Sequence, residues 1–95
     1  MSGVGCLKAV DIRLADETKT MHLDGPLEIL TLTGTVTPAH LHLHISVADK
    51  DGRVYGGHLI EGTVLYTCEV CGMAYQNLVF SREYDEDTGF TELKV

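Results

Sequence analysis

The sequence predicts a small domain of the α+β class that is predominantly antiparallel β, folded as a strongly bent sheet or partial barrel with little or no helix. Apolar residues nowhere recur with the 3.6-residue period of a helix over a useful length. Short stretches rich in β-branched and aliphatic residues occur instead, separated by polar connections. The 95 residues are 44% hydrophobic and contain no low-complexity tract, which favours one folded domain, 1–95.

The first half of the chain contains two predicted strands. Residues 4–14 alternate loosely between two faces, and residues 27–36 are aliphatic and β-branched without proline, as in a buried central strand. Residues 16–19 predict a polar turn between them, and residues 22–26, which end in Gly-Pro, predict a second loop.

The second half of the chain predicts a hairpin, a further strand and a closing pair of segments. The predicted strands are 39–47, 54–60, 63–73, 78–83 and 90–95, with one turn of helix near 75–77 and an acidic turn at 85–89.

The strand 39–47 carries the most informative pattern. Alternate residues of a strand share a face, so His40, His42 and His44 lie on one face, and leucine and isoleucine lie on the other. Neutral imidazole is the commonest protein ligand for zinc and related ions, so several imidazoles on one rigid surface predict a metal site.

The turn after this strand decides whether a fourth histidine joins the site. A three-residue loop at 50–52, with Gly52 in the left-handed conformation, places His44 directly opposite His58, with Cβ atoms roughly 5 Å apart. A two-residue loop would put His58 on the other face. The glycine at the third loop position favours the three-residue loop, although the Gly56-Gly57 pair could hide a bulge that resets the register.

The other histidines and the cysteines are weaker candidates for functional residues. His40 lies nearest a loop and could be merely exposed, and His22 stands apart as a structural or surface residue. Cys68 and Cys71 have a C-x-x-C spacing, but residues three apart in a strand point to opposite faces. Cys68 shares its face with Val64, Tyr66 and Val70, and this face is expected to be core. An odd count of three cysteines favours reduced thiols.

The charge balance limits the function classes. Fourteen acidic residues against seven basic ones give a net charge of −7, and the basic residues are scattered, which argues against direct nucleic-acid binding. Neither a membrane-length apolar run nor a secretion signal is present, so a soluble, cytoplasmic protein is expected.

Three segments together carry a family resemblance: 25–34 (GPLEILTLTG), 42–59 (HLHISVADKDGRVYGGHL) and 69–70 (EV). Over roughly residues 3–95 the chain resembles the PPC domain, the plant- and prokaryote-conserved domain that accompanies AT-hook motifs in plants. The resemblance implies an antiparallel sheet with helices, a homotrimer, and a histidine site that holds a metal ion in some prokaryotic members.

The family's H-x-H motif corresponds to His42 and His44, and its G-G-H motif corresponds to His58. The resemblance therefore implies these three histidines as metal ligands. Glu69 corresponds to the family's Glu-Val step and could be a fourth ligand, a partner that orients a ligand, or simply polar; His40 is a further candidate for such an orienting role. Two departures stand out: the strand and helix that usually precede the glycine-rich start are absent from this sequence, and it contains no AT hook.

Three functions follow as alternatives. The first is a homo-oligomeric module that binds a divalent metal, zinc by preference, through three imidazoles with one open position. The second is a metal-dependent enzyme of unknown substrate, for which no acid or base is singled out by spacing. The third is a DNA-associated accessory protein or a protein partner in transcription, by analogy with the plant proteins.

Overall fold

A computed structural model describes residues 1–16, 18–75, 81–88 and 90–94. These residues form six strands and no helix, and therefore contain no helical segment that could cross a membrane. The strands are β1 (Ser2–Arg13), β2 (Thr20–Thr37), β3 (His40–Ala48), β4 (Val54–Cys71), β5 (Ser81–Asp85) and β6 (Phe90–Lys94).

The first four strands form one strongly bent antiparallel sheet that closes on itself. β1 pairs with β2, β2 with β3, and β3 with β4, and β4 returns to pair with β1. The long strands make this closure possible, because β2 and β4 each bend away from one neighbour and continue along another. β4 pairs with β3 only through Val54–His58 and with β1 from His58 to Cys71. The predicted bent sheet is thus confirmed.

The hydrophobic core lies on the inner face of the bent sheet, where β1, β2 and β3 supply aliphatic side chains. Its buried members are Leu7, Val10, Ile12, Leu27, Ile29, Leu32, Ile45 and Val47.

Two β-bulges explain how residues that would point to opposite faces of a regular strand are both buried in this core. Leu7 and Val10 would face opposite sides of a regular strand, but the register shifts between Leu7 and Ala9, and both are buried. A second shift between Ile29 and Thr31 does the same for Ile29 and Leu32. The loose alternation noted for residues 4–14 therefore reflects a bulge.

Element boundaries differ from the sequence-based expectation at three places. Residues 22–26 are part of β2 and not a loop, with a cis peptide bond at Gly25-Pro26. The predicted strands 54–60 and 63–73 are one continuous strand, because β4 exchanges partners without turning. Residues 76–77 of the predicted helical turn and residues 78–80 of the predicted strand 78–83 lie outside the described part of the chain, whereas β5 and β6 form the expected closing hairpin.

The face assigned to the middle of β4 was also wrong. Cys68 does pack against the core, but Val64 and Val70 are half exposed and Tyr66 is 89% exposed. Tyr66 has a φ of 70°, a left-handed conformation that interrupts the alternation of faces. All three cysteines are free thiols.

Replacing a buried and an exposed isoleucine by alanine should have very different effects on the free energy of unfolding. Ile12 is fully buried and Ile60 is 52% exposed. Ile12→Ala should lower the free energy of unfolding by about 2–5 kcal/mol, because it leaves a cavity among packed side chains. Ile60→Ala should lower it by less than about 1 kcal/mol. Urea denaturation of both variants measures the difference, and equal losses would contradict this assignment of the core.

Candidate metal centre

A three-residue turn sets the register of the β3–β4 hairpin. The backbone N–H of Asp49 donates to the carbonyl of Arg53 at 2.9 Å, and that of Gly52 donates to the carbonyl of Asp49 at 3.0 Å. Gly52 has a φ of 82°, which a residue without Cβ adopts at no steric cost. The Asp49 carboxylate also accepts the N–H groups of Asp51 and Arg53, both at 2.9 Å. Asp49 is therefore engaged in holding the turn.

This register brings His44 directly opposite His58, as predicted. Ile45 and Val47 point into the core, so the histidines of β3 lie on the outer face. The Gly56-Gly57 pair introduces no bulge between β3 and β4, because the pairs Ile45–Gly57 and Ser46–Gly56 continue the register without a shift.

Gly57 has a further role, because it lets β4 approach β1. A Cβ built at Gly57 would lie 2.6 Å from the carbonyl oxygen of Arg13, far inside van der Waals contact. β4 passes from β3 to β1 at this point, and His58 is paired with both His44 and Arg13.

His42, His44 and His58 converge on one point. One ring nitrogen from each lies within 4.8 Å of the other two, and the ring centroids are separated by 5.3 Å, 5.4 Å and 5.8 Å. Among the described residues, this is the group of His, Cys, Asp and Glu side chains close enough to share an ion.

The spacing suits a zinc-sized ion after small side-chain rotations. Three nitrogens at the 4.8 Å limit would leave a central ion about 2.8 Å from each, against roughly 2.0–2.1 Å in a zinc–imidazole bond. Each ring then has to move by less than about 1 Å, which rotation about its χ angles provides without a change in the backbone. The residues present therefore fit such an ion.

The electrostatic state of His58 also favours metal binding. Burial lowers the pKa of His58, and the charges of Arg13 and of the neighbouring imidazoles lower it further. His58 is thus held in the neutral form that metals require. Its Nδ1 is buried and forms no hydrogen bond with any described residue, so a ring nitrogen is left without a partner.

The remaining candidates lie outside the cluster. His40 is exposed, with its ring centroid 6.3 Å from that of His42. Glu69 lies opposite Val4 on β1 and lines an open groove of about 430 Å³ that also includes Thr33, the residue paired with His44. Glu69 is not among the residues that share the ion-sized space.

His22 is separate from the site, as expected, but it has partners. Its Nδ1 donates to Asp11 at 2.6 Å and its Nε2 donates to Asp24 at 2.9 Å. These two hydrogen bonds raise the pKa of His22, the bond to Asp11 more strongly.

Sequence reasoning missed Arg13 and the threonines around the histidines. Arg13 lies opposite His58 through the β1–β4 pairing, and Thr33 and Thr35 lie opposite His44 and His42 through the β2–β3 pairing. The threonines could have been found by extending the hairpin register to β2. No local signal indicated Arg13, because 45 positions of chain separate it from His58.

A small, closed antiparallel sheet that presents three converging imidazoles on its outer face defines a class of β protein with a candidate metal centre. A sequence model of the Plants and Prokaryotes Conserved (PCC) domain, the PPC domain of the resemblance above, matches residues 1–75. The chain belongs to this family.

Individual relatives agree with the assignment. The chain is 43% identical over 96 residues to the bifunctional protein GlmU of Synechococcus sp. (strain JA-3-3Ab), matching all of this chain but only 16% of that protein. A hypothetical protein from Salmonella cholerae-suis is 32% identical with a TM-score of 0.81, covering 97% of this chain and 67% of that one.

Two further solved structures are similar. A metal-containing protein from Archaeoglobus fulgidus is 25% identical with a TM-score of 0.63, covering 99% of this chain and 71% of that one. A "Putative DNA-binding protein" from Ralstonia eutropha JMP134 is 20% identical with a TM-score of 0.77, covering 99% and 70%. At 20% identity the likeness shows the fold alone.

The opposite pKa shifts of His58 and His22 predict opposite effects of pH on the stability of the metal-free protein. The pKa of His58 is below the ordinary value of 6.5, so the unfolded chain takes up a proton first as pH falls. The contribution of His58 is fully present above pH 6.5 and is lost as pH falls through its folded pKa. The pKa of His22 is above 6.5, so its contribution is present below pH 6.5 and is lost as pH rises through its folded pKa.

Denaturant titrations from pH 5 to pH 8 with His58→Gln and His22→Gln measure these effects. His58→Gln should lose less stability than the parent protein as pH falls below 6.5. His22→Gln should lose less stability than the parent protein as pH rises. Identical pH profiles for both variants and the parent would show that neither environment differs from that of the unfolded chain.

Proposed function

We propose that this PCC domain is a homo-oligomeric module that binds one divalent metal ion per chain through His42, His44 and His58. The observation that carries the proposal is the convergence of three imidazole nitrogens to within 4.8 Å on a rigid hairpin. The metal-containing relative from Archaeoglobus fulgidus gives independent support. Zinc is the preferred ion, because three imidazoles with one open position match its usual chemistry.

The three histidines have distinct structural support. His42 and His44 are held by the β2–β3 and β3–β4 pairings, whereas His58 is held from both sides by β3 and β1. A bound ion would polarise a water or another ligand in the open position. The chain's own contribution is to aim the three imidazoles at one point and to lower the pKa of His58 by burial and by the charge of Arg13.

Metal content separates this cluster from the other histidines. The metal-loaded protein should retain close to one ion per chain after gel filtration, and His44→Ala and His58→Ala should each lose most of it, since two imidazoles bind a divalent ion far more weakly than three. His22→Ala is the matched control, because His22 is bonded to two carboxylates away from the cluster and its loss should leave the metal content unchanged. Elemental analysis measures the content.

The free energy of unfolding provides a second measurement of metal binding. An ion present at a hundred times its dissociation constant should stabilise the parent protein by about 2.7 kcal/mol, and His58→Ala should abolish the gain. Full metal content in both cluster variants would remove the proposal.

Assembly is proposed on the exposed apolar surface of β4. Beyond His58 this strand pairs with β1 along one edge, and its other edge has no partner strand among the described residues. Val64, Tyr66 and Val70 are exposed there. An unpaired edge flanked by apolar side chains favours association with another chain, and the family resemblance implies three copies.

Light scattering after gel filtration should therefore give a particle of three copies of the 10.4 kDa chain. Val64→Asp should reduce the particle towards a single chain, because it places a charge in the apolar contact. Val54→Asp, at the hairpin end of β4, is 60% exposed and should leave the mass unchanged. A monomeric parent protein would exclude the assembly while leaving the metal proposal intact.

Association with DNA is supported less well. The Ralstonia eutropha protein described in those terms shares only the fold with this chain, and the net charge of −7 opposes contact with phosphates. For a metal-dependent reaction, Asp49 is a poor candidate base, because its carboxylate is engaged in the hairpin turn.

A further inference from the structure

Arg13 is a cation placed beside the histidine cluster by the closure of the sheet. It is the last residue of β1 and pairs directly with His58, so their Cβ atoms lie roughly 5 Å apart on one face. The preceding residue, Ile12, is fully buried, which puts the Arg13 side chain on the outer face with the histidines. Its charge lowers the pKa of His58 more than any of the neighbouring imidazoles does.

This arginine has no counter-ion within the described part of the chain. No carboxylate there lies within 4.0 Å of its guanidinium, although the chain carries twice as many acidic as basic residues. Asp11 is two residues earlier on the same face of β1, but it accepts a hydrogen bond from His22. An uncompensated arginine in an acidic protein is a natural partner for an anion from solution.

The ligand group itself supplies no negative charge, because it consists of imidazoles. Among the described residues, no carboxylate hydrogen-bonds to His44 or His58, and the ligand group contains imidazoles alone. A divalent ion on three neutral ligands keeps its full charge, and Arg13 adds one more. On the opposite flank, Thr33 and Thr35 are exposed hydroxyl donors paired with His44 and His42.

We propose that the metal on the three histidines and the guanidinium of Arg13 together bind a small oxyanion, with one oxygen in the open coordination position and a second on Arg13. The proposal rests on the metal site proposed above. Carboxylates and phosphates share the required chemistry, since both offer two oxygens that match the arginine fork.

The experiment uses the full chain loaded with Co²⁺, whose visible absorption reports changes in coordination. Inorganic phosphate and acetate are titrated separately, with acetamide as the uncharged analogue of acetate. The parent protein should respond to at least one anion and not to acetamide. Arg13→Gln should weaken anion affinity by about tenfold or more while the affinity for Co²⁺ stays within a few-fold, because a charge-assisted hydrogen bond is lost.

Two further variants make the result specific. Arg13→Lys keeps the charge but loses the fork, so an intermediate affinity is expected. Arg53→Gln removes an exposed arginine at the hairpin turn and should bind anions as the parent does. A tighter response to phosphate or to acetate identifies which oxyanion class the site prefers, and either supports the proposal.

The outcomes distinguish the two levels of inference. Failure of the parent protein to take up Co²⁺ would overturn the metal site and the oxyanion site together. Uptake of Co²⁺ without an anion response, or with equal anion affinity in the parent and Arg13→Gln, would overturn the oxyanion site alone.

Discussion

The register of one hairpin is the constraint on which the site depends. Gly52 in a left-handed conformation closes a three-residue turn, and the Asp49 carboxylate ties the backbone on both sides of it. Because side chains in a strand alternate, a shift of one residue would turn His58 to the other face of the sheet. The chemistry of the outer face is thus set at a turn of three residues that contributes no ligand.

The closure of the sheet adds a second constraint. β4 leaves β3 and joins β1 at His58, so the position that completes the cluster is also the position where two parts of the sheet meet. Gly57 permits this meeting, because a side chain there would collide with the carbonyl of Arg13. The same contact brings Arg13 to the histidines. Burial at this position and the charge of Arg13 both lower the pKa of His58, so the closure also affects the charge of the site.

The outer face combines features that favour a cation and an anion together. The three imidazoles are close enough to share an ion but supply no negative charge to balance it, and the neighbouring side chains are an arginine and threonine hydroxyls. Some acidic residues make other contacts, for example Asp11 and Asp24 around His22. A site of this composition is suited to hold a metal and an exchangeable ligand.

The sequence by itself determined the local parts of this protein. The alternation of His40, His42 and His44 with aliphatic residues predicted the strand. The glycine in the following turn favoured the loop that pairs His44 with His58, since both features depend on contacts within one hairpin. Only the tertiary structure decided which residues surround that hairpin. The bulges that bury Leu7 with Val10, the continuity of β4, the exposure of Tyr66 and the approach of Arg13 all arise from pairing between strands far apart in the chain. Such pairings reflect the closing of a sheet on its core, and a periodic pattern within one strand carries no record of which distant strand lies beside it.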